Sequence, residues 1–168
     1  VNNAGVVRNT PIGEITDEEY DLLHDLHLWT AIQLTQAVIP HMKARGFGRI
    51  LNMSSRAVVG MAQRTTYAAT KAAIISMTRT WGIELGPYGI TVNAIAPGIV
   101  TTDMVTGDIP EGSELANRIA SGLPRRRLGK PDDIARASLF FTDPQNDWVT
   151  GQTLFVCGGA SLGSLTFT

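Results

Sequence analysis

Three short apolar runs constrain the fold of this chain more than any other feature: residues 49–55 (RILNMSS), 90–96 (ITVNAIA) and 153–157 (TLFVC). Each is too short for a helix, is rich in aliphatic residues and is closed by small, polar or turn-forming residues, which is the pattern of a buried strand. Between them lie longer segments with helical character. One contains YAATKAAIISMTRT and stops near Gly86; the other opens at Pro131, Asp132 and Asp133, with proline at an early helical position. Strand, helix, strand, helix, strand in this order predicts a parallel sheet with right-handed crossovers, hence an α/β fold with helices on both faces of the sheet.

The segment before the first run is also helical. Thr16, with Glu19 three residues later, forms a capping-box pattern, and Tyr20, Leu23, Leu26, Thr30, Leu34 and Val38 recur near helical period. His41, Lys43 and Arg45 favour the C-terminal end of the dipole before Gly46, and Pro40 predicts a kink in the last turns. Residues 1–5 (VNNAG) read as the end of a strand already under way, and with Val1 as first residue the chain reads as a fragment.

At 168 residues the chain fits one domain, and 43% hydrophobic with 17% charged residues suits a core-forming globular protein. The formal charge of −1 offers no field for nucleic acid or an anionic membrane, so a small molecule is the expected partner. A single cysteine, Cys157, excludes an intrachain disulfide framework, no Cys/His cluster has zinc-ligand spacing, and no secretory signal or membrane-length apolar stretch is present. A reducing, cytoplasmic setting is the expectation. Punctuated by Gly107, Pro110, Gly112, Gly122 and Pro124, residues 101–128 carry only a short helical stretch near 115–120, and they follow the carboxyl end of a strand. Ligands of open parallel sheets bind there, so this segment is the expected substrate lid.

Chemistry concentrates at Tyr67 and Lys71. Four residues apart on a helix, they share a face, and the ammonium is expected to lower the phenol's pKa. Bringing a phenol from about 10 to near neutrality takes about 4 kcal/mol. One ammonium at about 4 Å supplies a similar amount at an effective dielectric of about 20. Ser54 and Ser55 end the first apolar run just upstream, so a hydroxyl, a phenol and an ammonium can surround one carbonyl or alcohol.

With these residues the chain resembles the short-chain dehydrogenase/reductase family. The motifs are NNAG at 2–5, NMSS at 52–55, YAATK at 67–71, NAIAPG at 93–98 and TGQTLFVCGG at 150–159, five in family order along the whole chain. The resemblance implies a Rossmann-type sheet and hydride transfer between NAD or NADP and a secondary alcohol or ketone. Tyr67 is the implied acid/base, Lys71 its assistant and a ligand of the nicotinamide ribose, and a serine the donor to the substrate oxygen. The family's serine-to-tyrosine spacing selects Ser54, whereas position within the strand-terminal pair selects Ser55; strand geometry fixes side-chain direction and a loop absorbs a deletion, so Ser55 is preferred.

The resemblance further places Asn3, Ala4 and Gly5 near the adenine-side ribose, and Pro97, Gly98, Ile99, Val100 and Thr102 near the nicotinamide carboxamide. Asn93 is expected to brace the sheet interior. His27 stands where the family usually carries an asparagine that helps hold a water in the proton relay. Either water binding or a satisfied buried imidazole fits it, and it stays outside the catalytic set. Arg125, Arg126 and Arg127 are expected on a solvated face, Trp29, Trp81 and Trp148 in core or interface, and Cys157 as a buried structural thiol.

Family members also begin with a strand, a TGxxxGxG turn and a second strand that selects the cofactor, none of which occurs here. The resemblance therefore implies the second half of a Rossmann-like three-layer sheet, strands 4–7, in one partial domain over residues 1–168. Without the glycine turn the isolated chain is expected to bind the cofactor poorly and to be inactive. Within the family, a 3-oxoacyl-(acyl carrier protein) reductase-like or small-alcohol dehydrogenase is implied, as is a homodimer or homotetramer formed through the helices that start at Thr16 and near Tyr67. The alternatives are a non-catalytic truncated homologue acting only in oligomer contacts, and an epimerase or dehydratase of nucleotide sugars, whose longer C-terminal substrate regions are not seen here.

Overall fold

A computed structural model of the chain describes residues 1–107 and 109–162. Its core is a three-stranded parallel sheet in the order β1-β2-β3, with β1 at Gly48–Met53, β2 at Ile90–Pro97 and β3 at Thr153–Val156. Gly48 faces Ile90 and Met53 faces Ile95 across the first pair, and Ala94 faces Thr153 across the second. Seven of the eight β2 residues are buried without alternation, as a central strand covered on both faces must be.

The two faces carry separate clusters. Ile50, Val92 and Ile90 pack with Leu85, and with Ile39, Met42 and Trp81, from the helices α2 (Thr30–Arg45) and α3 (Thr65–Leu85). Leu51, Met53 and Ile95 pack with Phe141 and with Ile134 and Ala137 of α6 (Pro131–Thr142) on the other face. The result is the expected α/β/α sandwich. The short α4 (Asp103–Thr106) and α5 (Glu114–Gly122) lie in the segment after β2.

Three sequence expectations change in part. Of residues 1–5, Asn2 alone bridges to Asn52, its N–H donating to the Leu51 carbonyl (2.8 Å) and its carbonyl accepting from Met53 (3.0 Å). The amphipathic run after Thr16 is not one regular helix, because α1 (Asp17–His24) passes into α2 through a π-helical turn, Asp25–Trp29. The capping box is half made: Thr16 accepts from the Glu19 N–H (3.2 Å), but the Glu19 carboxylate binds the Thr10 hydroxyl. Pro40 lies inside α2, which ends at Gly46 in the left-handed region, φ 60°.

Buried polar side chains tie the sheet to its helices. Asn52 accepts from Asn2 Nδ2 (2.8 Å) and donates to Thr78 of α3 (2.9 Å). Asn93 donates to the Val149 carbonyl (2.8 Å) and accepts from the Gln152 N–H (3.0 Å), which is the interior bracing expected of it. Among the described residues no helix is long and apolar enough to cross a membrane, and no cluster of His, Cys, Asp and Glu is arranged to hold a metal ion.

Candidate active site

The carboxyl end of β1 and the first turns of α3 build the site. β1 ends at Met53, and the backbone then runs through Ser54 and Ser55 into a short 3-10 turn, Arg56–Val59, for which Ser55 is the N-cap. Ser54 is buried and its hydroxyl donates to the Lys71 carbonyl (2.8 Å), which fastens the strand end to α3. Ser55 accepts from the Ala57 N–H (3.1 Å) and lies close enough to the Tyr67 phenol to pull its pKa down. Opposite faces of one strand end thus separate the two serines.

Lys71 is 5% exposed, its ammonium 5.8 Å from the centre of the Tyr67 ring and donating to the Met53 carbonyl (2.9 Å). The ammonium has three hydrogens, so two stay without a partner among the described residues. Burial lowers the Lys71 pKa from 10.5 to about 8. Tyr67 departs from the sequence expectation: burial raises its phenol pKa, against a lowering by the Ser55 hydrogen bond and the Arg64 charge, and Lys71 is not among the causes. The protonated phenol is therefore the resting form.

His27 comes from the π turn between α1 and α2 and is 2% exposed. Its Nε2 accepts from the Val6 N–H (3.2 Å), and its Nδ1 lies 2.8 Å from the Thr70 hydroxyl, which donates to the Tyr67 carbonyl (2.9 Å). Of the two readings of His27 the satisfied buried imidazole holds. Burial, then the Lys71 charge, lower its pKa to about 4. Gly5 closes this corner: a Cβ there would stand 3.1 Å from His27 Nε2 and 3.4 Å from Lys71 Nζ, so any side chain would press both groups aside. Asn3 and Ala4 are exposed.

Pro97 ends β2, and Gly98 follows where a Cβ would meet the Cys157 backbone at 2.8 Å. Val100 bridges to Gly129, with Thr101 N–H donating to the Gly129 carbonyl (2.9 Å) and Gly129 N–H to the Ile99 carbonyl (2.9 Å). These bonds clamp the base of the 101–128 segment, in which Asp108 lies outside the described residues. Thr102 is exposed and leads into α4.

Beside Gly98, a cavity of about 320 Å³ is lined by Ile99, Arg125, Arg127, Phe155 and Cys157. Arg127 is not simply solvated: its guanidinium grips Asp133 through two bonds (2.7 and 2.9 Å) and holds that carboxyl well below the usual range. Arg126 adopts φ 52° and donates to the Ser121 carbonyl. Cys157 is buried at 8% exposure, as expected. Burial pushes its thiol up, but hydrogen bonds from Ser161 and from the backbone of Ser161, Gly159 and Ala160 outweigh that and leave it below the ordinary value. Of the tryptophans, Trp81 packs against the core, while Trp29 and Trp148 are exposed.

The family model described as enoyl-(acyl carrier protein) reductase matches residues 1–161. A subunit of (2S)-[(R)-hydroxy(phenyl)methyl]succinyl-CoA dehydrogenase from Thauera aromatica is 43% identical over 162 residues, 96% of this chain and 64% of that one. The 3-oxoacyl-[acyl-carrier-protein] reductase FabG of Thermotoga maritima is 38% identical, over 95% of this chain and 64% of its own. The chain belongs to the short-chain dehydrogenase/reductase family. Among solved structures, a gluconate 5-dehydrogenase from Burkholderia cenocepacia in complex with NADP and tartrate superposes with a TM-score of 0.89 at 32% identity, covering 97% of this chain and 64% of that one. The chain thus spans about two thirds of the length of these relatives.

Ser55, Tyr67, Lys71 and Gly5, singled out from the sequence, lie together in the structure, while Thr70, whose hydroxyl links His27 to the tyrosine backbone, gave no sequence signal. A small β-branched residue in a helix gives no such signal by itself. The geometry fits a nicotinamide cofactor at Lys71, whose two ammonium hydrogens without a partner among the described residues suit a ribose diol.

Proposed function

We propose that the protein carrying this chain is an oxidoreductase that interconverts a secondary alcohol and a ketone using NAD or NADP. The observation that carries the reading is the convergence of Ser55, the Tyr67 phenol and the buried Lys71 ammonium at the carboxyl end of β1. FabG-type relatives and a neighbour bound to NADP support it.

A bound nicotinamide supplies or accepts the hydride at the substrate carbon. The remaining work falls to this chain. Ser55 donates a hydrogen bond to the carbonyl oxygen and sets it against Tyr67. Tyr67, protonated at rest, passes its proton to that oxygen as the carbon–oxygen π bond opens, giving the alcohol, and regains a proton from solvent. In the oxidative direction the phenol must first lose its proton, and Ser55 and the Arg64 charge favour that loss. Asn3, Ala4 and Gly5 would meet the adenine-side ribose, Lys71 the nicotinamide ribose, and Pro97, Gly98, Val100 and Thr102 the carboxamide. Residues 101–128 would cover the substrate.

Trp29, Leu34 and Val38 are exposed along α2 and the turn before it, which supports a homodimer or homotetramer through these helices. The rival reading is a non-catalytic homologue acting only in oligomer contacts. Both are tested by following nicotinamide oxidation with a panel of ketones, on the longest native chain that carries these residues. Turnover with either cofactor is the expected result; none with any ketone and both cofactors, in a protein that still oligomerises, supports the rival.

A further inference from the structure

We infer that His27 is a positioning residue for the Tyr67–Lys71 pair, held as a neutral imidazole with its proton on Nδ1 so that it joins the Gly5–Val6 backbone to the backbone of Tyr67. This deepens the reading of Tyr67 and Lys71 as the reacting pair and rests on it.

The tautomer follows from hydrogen-bond bookkeeping. The Tyr67 carbonyl can only accept, so the Thr70 hydroxyl spends its proton there, 2.9 Å away. Thr70 must then accept from the imidazole, which puts a hydrogen on Nδ1 across the 2.8 Å contact. Val6 offers an N–H to Nε2 at 3.2 Å, so that nitrogen carries none. One protonation state satisfies all three bonds. The other neutral tautomer sets N–H against N–H at Val6, and the imidazolium does the same with a positive charge added.

The charged and titratable groups that face His27 agree with this state. Lys71 and Tyr67 come from α3, the latter edge-on with ring centres 5.6 Å apart, His24 comes from α1, and the Gly5–Val6 segment contributes none. Burial first, then the Lys71 and His24 charges, keep the ring neutral to about pH 4. A second cation here would stand beside an ammonium that already has its pKa lowered to about 8.

His27 does not reach the phenol oxygen through any of these bonds. It acts on the backbone: the chain Val6–His27–Thr70–Tyr67 joins the segment before α1, the π turn and the first turns of α3. The π turn itself puts the ring there, since a widened turn shifts the register of the side chains that follow it.

Nitrogen-15 spectra of the imidazole test the tautomer on the chain itself, without cofactor. Nδ1 protonated, Nε2 bare and no charging between pH 7 and about pH 5 is expected; an Nε2–H tautomer at pH 7 overturns the inference. In the active protein, Thr70→Val keeps shape but removes the link. It is expected to lower kcat by about tenfold to a hundredfold with little change in KM, the size of loss that small misplacement causes. Thr70→Ser, which restores the hydroxyl, is expected to recover most of it. Wild-type kcat in a folded Thr70→Val protein, alongside loss of activity in Tyr67→Phe, overturns the positioning role alone; full activity in both variants overturns the acid/base reading beneath it.

Discussion

The serine pair shows how one residue's direction decides its role. Ser54 spends its hydroxyl on the Lys71 carbonyl inside the protein, while Ser55 keeps company with the Tyr67 phenol. Ser55→Ala is therefore expected to cut kcat/KM by about a hundredfold or more, since it deletes one preorganised donor to the reacting oxygen, and to cost about 1 kcal/mol of stability through the lost cap on Ala57. Ser54→Ala is expected to act on stability, costing about 1 kcal/mol in a urea titration, and much less on turnover. The reverse pattern would make Ser54 the reacting residue. Gly98 is a second site where one atom matters. Because an added Cβ would meet the Cys157 backbone at 2.8 Å, Gly98→Ala is expected to push the ends of β2 and β3 apart and to destabilise by about 1–3 kcal/mol, read as a lower urea midpoint. An unchanged midpoint would mean that the strand ends move at no cost.

At the level of elements, the sheet was legible because β1 and β2 are buried on both faces, so selection by both layers leaves nearly unbroken aliphatic runs. Ile95 is fully buried, packed with Leu51, Met53 and Phe141 on the α6 face. Ile95→Ala should cost about 2–5 kcal/mol in chemical denaturation, and a cost below about 1 kcal/mol would contradict the packing described. The helix after Thr16 was legible in existence but not in form. Its apolar residues recur at a spacing that an α-helix and an α-helix with one π turn both satisfy, so DLHLW gives no warning that the backbone widens at Asp25–Trp29. The site followed the same division. Spacing put Tyr67 and Lys71 on one face of α3, but burial, a property of the whole packing, set the direction of the tyrosine's pKa, and helical spacing alone could not reveal that. Residues 1–5 were legible in part: Asn2 pairs in parallel with Asn52, as the last residue of a strand does, and residues 3–5 have no ladder partner among the described residues.

For the molecule as a whole, His27 and Lys71, both buried, predict a stability profile. The folded-state pKa of His27, about 4, lies below its ordinary 6.5. The unfolded chain thus binds its proton first as pH falls, and the stability present above pH 6.5 is lost progressively toward pH 4, by an amount on the order of 2–3 kcal/mol. Lys71 has the same sign in another window: its folded value of about 8 lies below 10.5, so stability should rise with pH between the two. Urea midpoints across pH 4–7 should fall less steeply in His27→Gln, and Lys71→Met should flatten the rise above pH 8. Parallel profiles for wild type and variants would contradict the burial assigned to these groups. The central claim is that Tyr67 transfers the proton, and single-turnover hydride transfer to a ketone tests it most directly, in the longest native chain with and without Tyr67→Phe. Tyr67→Phe is expected to bind cofactor still but to transfer hydride at least about a hundredfold more slowly; transfer at the wild-type rate would contradict Tyr67 as the proton donor.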